Sequence, residues 1–66
     1  MSNLREARER AVLETAARGL TAEEAGAELF LSPETVRTYR KQALQRTGAR
    51  NMTQAVALWM AGEVAT

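Results

Sequence analysis

The chain has 66 residues, a net charge of +1, and neither cysteine nor histidine. A chain of that length forms one small domain, near the size where a single core barely suffices. The missing residue types exclude disulfides, thiolate chemistry and zinc fingers, so helix packing and self-association are the remaining stabilisers.

The N-terminal MSNLREARER lacks the apolar stretch of a signal peptide, and the longest apolar run, AVALWMA at 55–61, is far too short to span a membrane. A cytoplasmic protein is expected. The sequence starts at Met1 and shows no linker, so residues 1–66 read as one stand-alone domain.

Cap chemistry marks four helices. Asn3 with Glu6 suggests the start of a first helix over about 4–18, closed by Gly19 in a left-handed conformation. Leu4, Val12, Leu13, Ala16 and Ala17 form its apolar side. Thr21 with Glu24 opens a short second helix over 22–29, which contributes Ala25 and Leu29 to a core. Glu23 and Glu24 fall in its first turn, where negative charge suits the helix dipole.

Ser32 followed by Pro33 opens the third helix, 33–47: a hydroxyl at the cap and proline at the first helical position. Val36, Tyr39, Ala43 and Leu44 make a single apolar stripe along it, and Gly48 closes it. Asn51 with Gln54 opens the fourth helix, over 52–63, where Trp59, Val56 and Met52 are expected to close the core. No segment carries the period-two pattern of a strand, so the fold class is all-α.

Charge is unevenly laid out along these elements. Residues 1–34 hold four Arg against seven Glu, a balance of −3; residues 35–66 hold four Arg and one Lys against a single Glu, a balance of +4. Basic residues on an exposed helix are commonly just solubilising. Here their neighbours argue otherwise, because only Phe30, Leu31 and Ser32 separate the second and third helices, as in a helix-turn-helix. Gly26 falls where the first helix of such a unit must be small. Phe30 stands at the turn, where glycine is common, and its ring must pack across the joint or sit in solvent. With Val36 turned inward, Thr38, Lys41 and Gln45 point away from the core with Arg37 beside them. Arg and Lys on such a face suit guanine O6 and N7 in a major groove, which admits one helix.

The stretch ETAARGLTAEEAGAELFLSPETVRTYRKQALQRTGARNMTQAVALW resembles the LuxR-type (LuxR/GerE-like) helix-turn-helix domain of bacterial transcription regulators. The resemblance runs from Leu4 to about Ala61. Its most specific parts are Gly-Leu-Thr before the second helix, the Leu-Phe-Leu-Ser-Pro-x-Thr-Val joint, and the Gly-Ala-x-Asn link to the last helix. It implies a three-helix core plus a C-terminal dimerisation helix, with Arg37, Thr38 and Lys41 approaching bases. Phosphate contacts are implied for Ser32, Thr35 and Tyr39, and expected from Arg40, Gln45, Arg46 and Arg50. Tyr39 replaces a frequent histidine. Ala25, Ala43 and Thr47 stand where larger aliphatics are usual, so the core should be thin. Arg40 stands near the core edge, where its guanidinium is expected to snorkel towards phosphate.

The last helix is apolar nearly all round. Gln54, Ala57, Leu58 and Ala61 are expected to form a dimer interface, since small residues four apart allow close approach. The expected function is therefore a sequence-specific regulator on double-stranded DNA, a homodimer on an inverted repeat, of bacterial or phage origin. A module like region 4 of sigma factors, binding RNA polymerase or another regulator, is the alternative. An enzyme is not expected. Ser32 has no histidine to activate it, the glycines are too scattered for a phosphate loop, and no cofactor or metal is implied.

Overall fold

A computed structural model describes residues 4–62. They form four helices: α1 over Leu4–Ala17, α2 over Ala22–Leu29, α3 over Pro33–Thr47 and α4 over Met52–Met60. No strand occurs among the described residues. The bounds of α2 and α3 coincide with those read from cap residues. The Asn3 cap lies outside the described residues.

Local chemistry sets each end. Thr21 and Glu24 complete a reciprocal capping box: the Thr21 hydroxyl accepts from the Glu24 N–H at 3.1 Å, and Glu24 Oε1 accepts from the Thr21 N–H at 2.9 Å. Ser32 Oγ accepts from the Thr35 N–H at 3.1 Å. At α4 the box is shifted by one residue. Asn51 Oδ1 caps the Gln54 N–H at 2.9 Å, but Gln54 Oε1 reaches back to the Arg50 N–H at 2.7 Å. Helix α1 ends in paired reverse bonds, Gly19 N–H to Ala16 and Leu20 N–H to Thr15, which require the positive φ that Gly19 adopts.

Helix α4 stops at Met60, not at residue 63. The cause is Gly62, which takes φ +76° while its N–H turns back to the Trp59 carbonyl.

Helices α1 and α3 form the frame, each packing against the other and against both α2 and α4; α2 and α4 do not meet. At the centre, Val12 of α1, Ala22 and Ala25 of α2 and Val36 of α3 are buried together, with Leu20, Leu29, Leu31 and Tyr39 packed around them. Ala43 and Ala55 are also buried. The largest fully buried side chains are Val12, Val36 and Thr15, so the core is as thin as its composition implies. Thr15 is satisfied locally, its hydroxyl donating to the Val12 carbonyl at 2.7 Å.

The core assignments of five residues are corrected. Leu4 is 66% exposed and Ala17 is exposed. Trp59, Val56 and Met52 are half-buried against α1, while Ala55, one residue round the helix, enters the core. A small core admits the alanine and leaves the indole at its margin, beside Glu14, Ala17 and Arg18.

Candidate nucleic-acid interface

The joint between α2 and α3 is built on a close approach. A Cβ on Gly26 would lie 2.4 Å from the Leu31 carbonyl oxygen and 3.5 Å from the Pro33 nitrogen. The missing side chain is what lets the turn fold back over α2. The Leu31 N–H bonds to the Gly26 carbonyl at 2.9 Å and fastens the turn. Phe30 carries the bend at φ 59°, ψ 40°, left-handed without being glycine, and its ring is 95% exposed. A non-glycine residue in this region is held there by its surroundings.

From this joint α3 projects with Val36 and Ala43 buried and Arg37, Thr38, Lys41 and Gln45 exposed. The three residues expected at bases therefore stand on one outward surface. They differ in how they are held. Thr38 Oγ1 donates to the Glu34 carbonyl one turn back, at 3.0 Å. The Arg37 guanidinium reaches across the joint to Glu23 of α2, 2.7 Å from Nη2 to Oε2, with Glu34 at 3.9 Å. Both partners are more than half exposed, so the pair is worth only about 0.2–1 kcal/mol. Lys41 has no ion pair among the described residues.

The residues expected at phosphates divide into two groups. Ser32 and Thr35 sit at the α3 N-terminus with their hydroxyls 2.8 Å apart. There the helix dipole favours an anion, although Pro33 carries no N–H and the Thr35 N–H is taken by Ser32 Oγ. Gln45 and Arg50 are exposed and Tyr39 is half-buried. Arg40 and Arg46 are engaged by the protein itself. Arg40 Nη2 donates to the Leu20 carbonyl at 2.9 Å, ahead of α2, and its Nε is buried without a partner among the described residues. Arg46 Nη1 donates to Glu9 Oε1 at 3.1 Å, and Glu9 is almost wholly buried. Sequence reasoning missed Glu9, Thr15 and the cross-joint reach of Glu23. Nothing in the spacing of α1 marks the first two, whereas Glu23 was legible only as a first-turn charge.

On the expected dimer surface, Gln54, Ala57 and Ala61 are exposed and Leu58 is half-buried, with Met60 exposed beside them. Val64 lies outside the described residues. No helix of the described residues is long and apolar enough to cross a membrane, and no cluster of potential metal ligands occurs among them.

A short helix, a three-residue joint and a longer helix with an outward basic face, with α1 packed on both helices and α4 on the longer one, define a helix-turn-helix DNA-binding domain. The family model for bacterial regulatory proteins of the luxR family (GerE) matches residues 7–59. The chain belongs to that family, whose domain binds DNA in transcription regulation. No curated protein and no solved structure matches it significantly.

Proposed function

We propose that the protein is a sequence-specific regulator that lays α3 in the major groove of double-stranded DNA, with Arg37, Thr38 and Lys41 at base edges. The observation that carries this reading is the joint exposure of those three side chains on a helix braced by Val36. Ser32, Thr35, Tyr39, Gln45 and Arg50 flank that surface and fix its register through phosphates. Arg40 and Arg46 contribute positive field while bonded to the protein's own oxygens. The protein acts in the cytoplasm and performs no catalysis.

A second protomer, joined through Gln54, Ala57, Leu58 and Ala61 of α4, supplies the second recognition helix. Two helices related by a two-fold read half-sites about one turn apart, on an inverted repeat. The exposure of the small apolar Ala57 and Ala61 on that face supports this reading. A module holding RNA polymerase through Phe30 and α4 remains the second reading, supported by the 95% exposure of the Phe30 ring.

Selection of binding sites from random duplexes, followed by mobility-shift titration across salt, tests the proposal. Recovery of an inverted repeat bound two protomers at a time, with affinity falling steeply as salt rises, is the expected result. Absence of salt-dependent binding to any duplex overturns it and favours the polymerase module.

A further inference from the structure

We infer that Glu23 is a specificity-determining residue: its carboxylate restrains Arg37 and screens it from phosphates, so that the arginine engages DNA fully only where base acceptors are correctly placed. The inference rests on the major-groove reading of α3 and adds to it a residue on α2.

Arg37 is the one residue among the three groove-facing side chains that meets acidic groups, and it meets two. Glu23 Oε2 lies 2.7 Å from Nη2, and Glu34 Oε1 lies 3.9 Å from Nη1. The arrangement crosses the joint, since Glu23 belongs to the first turn of α2 and Arg37 to the second turn of α3. That joint is fixed by the Gly26–Leu31 approach, and the backbone of Glu23's turn by the Thr21–Glu24 capping box. The carboxylate is therefore presented from a rigid support rather than from a loop.

Two physical consequences point the same way. A guanidinium offers five donors. Bidentate contact with guanine uses two of them, so Nη2 can stay on Glu23 while the remaining donors face a base, and the pair aims the fork. On random sequence no base acceptor matches the fork. The arginine's alternative there is a phosphate, and Glu23 both competes for the cation and repels the anion. The pair is exposed on both sides and weakly held, so it acts as a threshold and not as a lock. Lys41, four residues along the same face, meets no carboxylate among the described residues and carries no such threshold. Glu23 is a positioning residue: it acts through Arg37.

The test compares the wild-type chain with Glu23→Gln on its selected duplex and on a random duplex, over a salt series. Glu28→Gln serves as a control, because Glu28 lies on the same helix and pairs with Arg18, just past the end of α1, rather than with a residue of α3. Glu23→Gln is expected to tighten random-duplex binding about fivefold near 0.1 M salt, and to steepen its salt slope by about 0.9, the signature of one added phosphate contact. The ratio of specific to random affinity then falls by a similar factor, and Glu28→Gln leaves it unchanged. In an Arg37→Ala background the added effect of Glu23→Gln on the salt slope is expected to vanish. An unchanged ratio overturns the inference. So does an equal effect of Glu28→Gln, or an effect that persists without Arg37, since each reduces Glu23 to one charge among many. Failure of the wild-type chain to bind duplex at all is a different result, visible before any variant is compared, and sinks the DNA reading itself.

Discussion

Glu9 of α1 and Arg46 of α3, thirty-seven residues apart, are joined at 3.1 Å across the frame of the molecule. Glu9 is only 7% exposed, whereas the Arg46 side chain keeps 38% of its surface in solvent. The two partners are therefore not equivalent. Removing Arg46 strands a carboxylate away from water, while neutralising Glu9 leaves a guanidinium that water still reaches. Arg46→Ala is expected to destabilise the fold by about 1–2 kcal/mol, discounted from a fully buried pair for its solvent access. Glu9→Gln is expected to cost less. Urea unfolding midpoints of the two variants check the order.

Gly26 and Gly48 give a contrast between two kinds of glycine. Gly26→Ala places a methyl 2.4 Å from a backbone oxygen that cannot move without opening the turn, and is expected to cost about 2–3 kcal/mol. Gly48→Ala meets nothing within 4 Å, but its φ of +73° leaves a strain of about 1 kcal/mol. The first variant should also lose DNA binding, since it disturbs the angle of α3. The second should keep it. Thermal unfolding and mobility shift together separate the two.

Phe30→Gly is expected to stabilise the protein by about 0.5–1 kcal/mol. The ring packs on almost nothing, and glycine relieves the left-handed strain at a smaller cost in unfolded-chain entropy. A fall in the unfolding midpoint would show that the ring is covered in solution. That result would support a partner or second copy at the turn.

Lys41→Ala is expected to weaken binding to the selected site by about 1–3 kcal/mol and to relax base preference at one position. Its stability should not change, because the side chain is exposed and makes no ion pair among the described residues. Unchanged affinity for the selected duplex would mean that α3 enters DNA by another face.

Ala57→Glu places a charge on the exposed face of α4 without touching the buried Ala55. If that face joins two protomers, sedimentation should show a shift to monomer, with cooperative binding to the inverted repeat lost and monomer folding intact.

The sequence carried the fold wherever a backbone end has its own chemistry. Ser32-Pro33, Thr21 with Glu24, and Gly48 each satisfy or redirect particular N–H and carbonyl groups, so they mark α2 and α3 to the residue. Gly62 carried the same signal for α4, and the apolar run leading up to it concealed the stop. The outward surface of α3 was legible because one inward residue, Val36, fixes the direction of all others on a rigid helix. Burial at a helix margin was not. Ala55 rather than Trp59 reaches the centre because the spacing between α1, α3 and α4 decides which volume fits, and no local pattern encodes that spacing. Glu9 escaped for a related reason: a carboxylate reads as solvent-facing until its cation, thirty-seven residues on, is placed beside it.

An interior whose fully buried side chains are no larger than valine has a thermodynamic corollary. Little hydrocarbon surface is hidden from water, so unfolding releases a small heat-capacity increment and the melting transition should be shallow. Anything that binds only the folded chain then accounts for a large share of its net stability. For such a molecule occupancy and folding become two readings of one equilibrium, and calorimetry with and without duplex would register any bound DNA as a structural component of the protein.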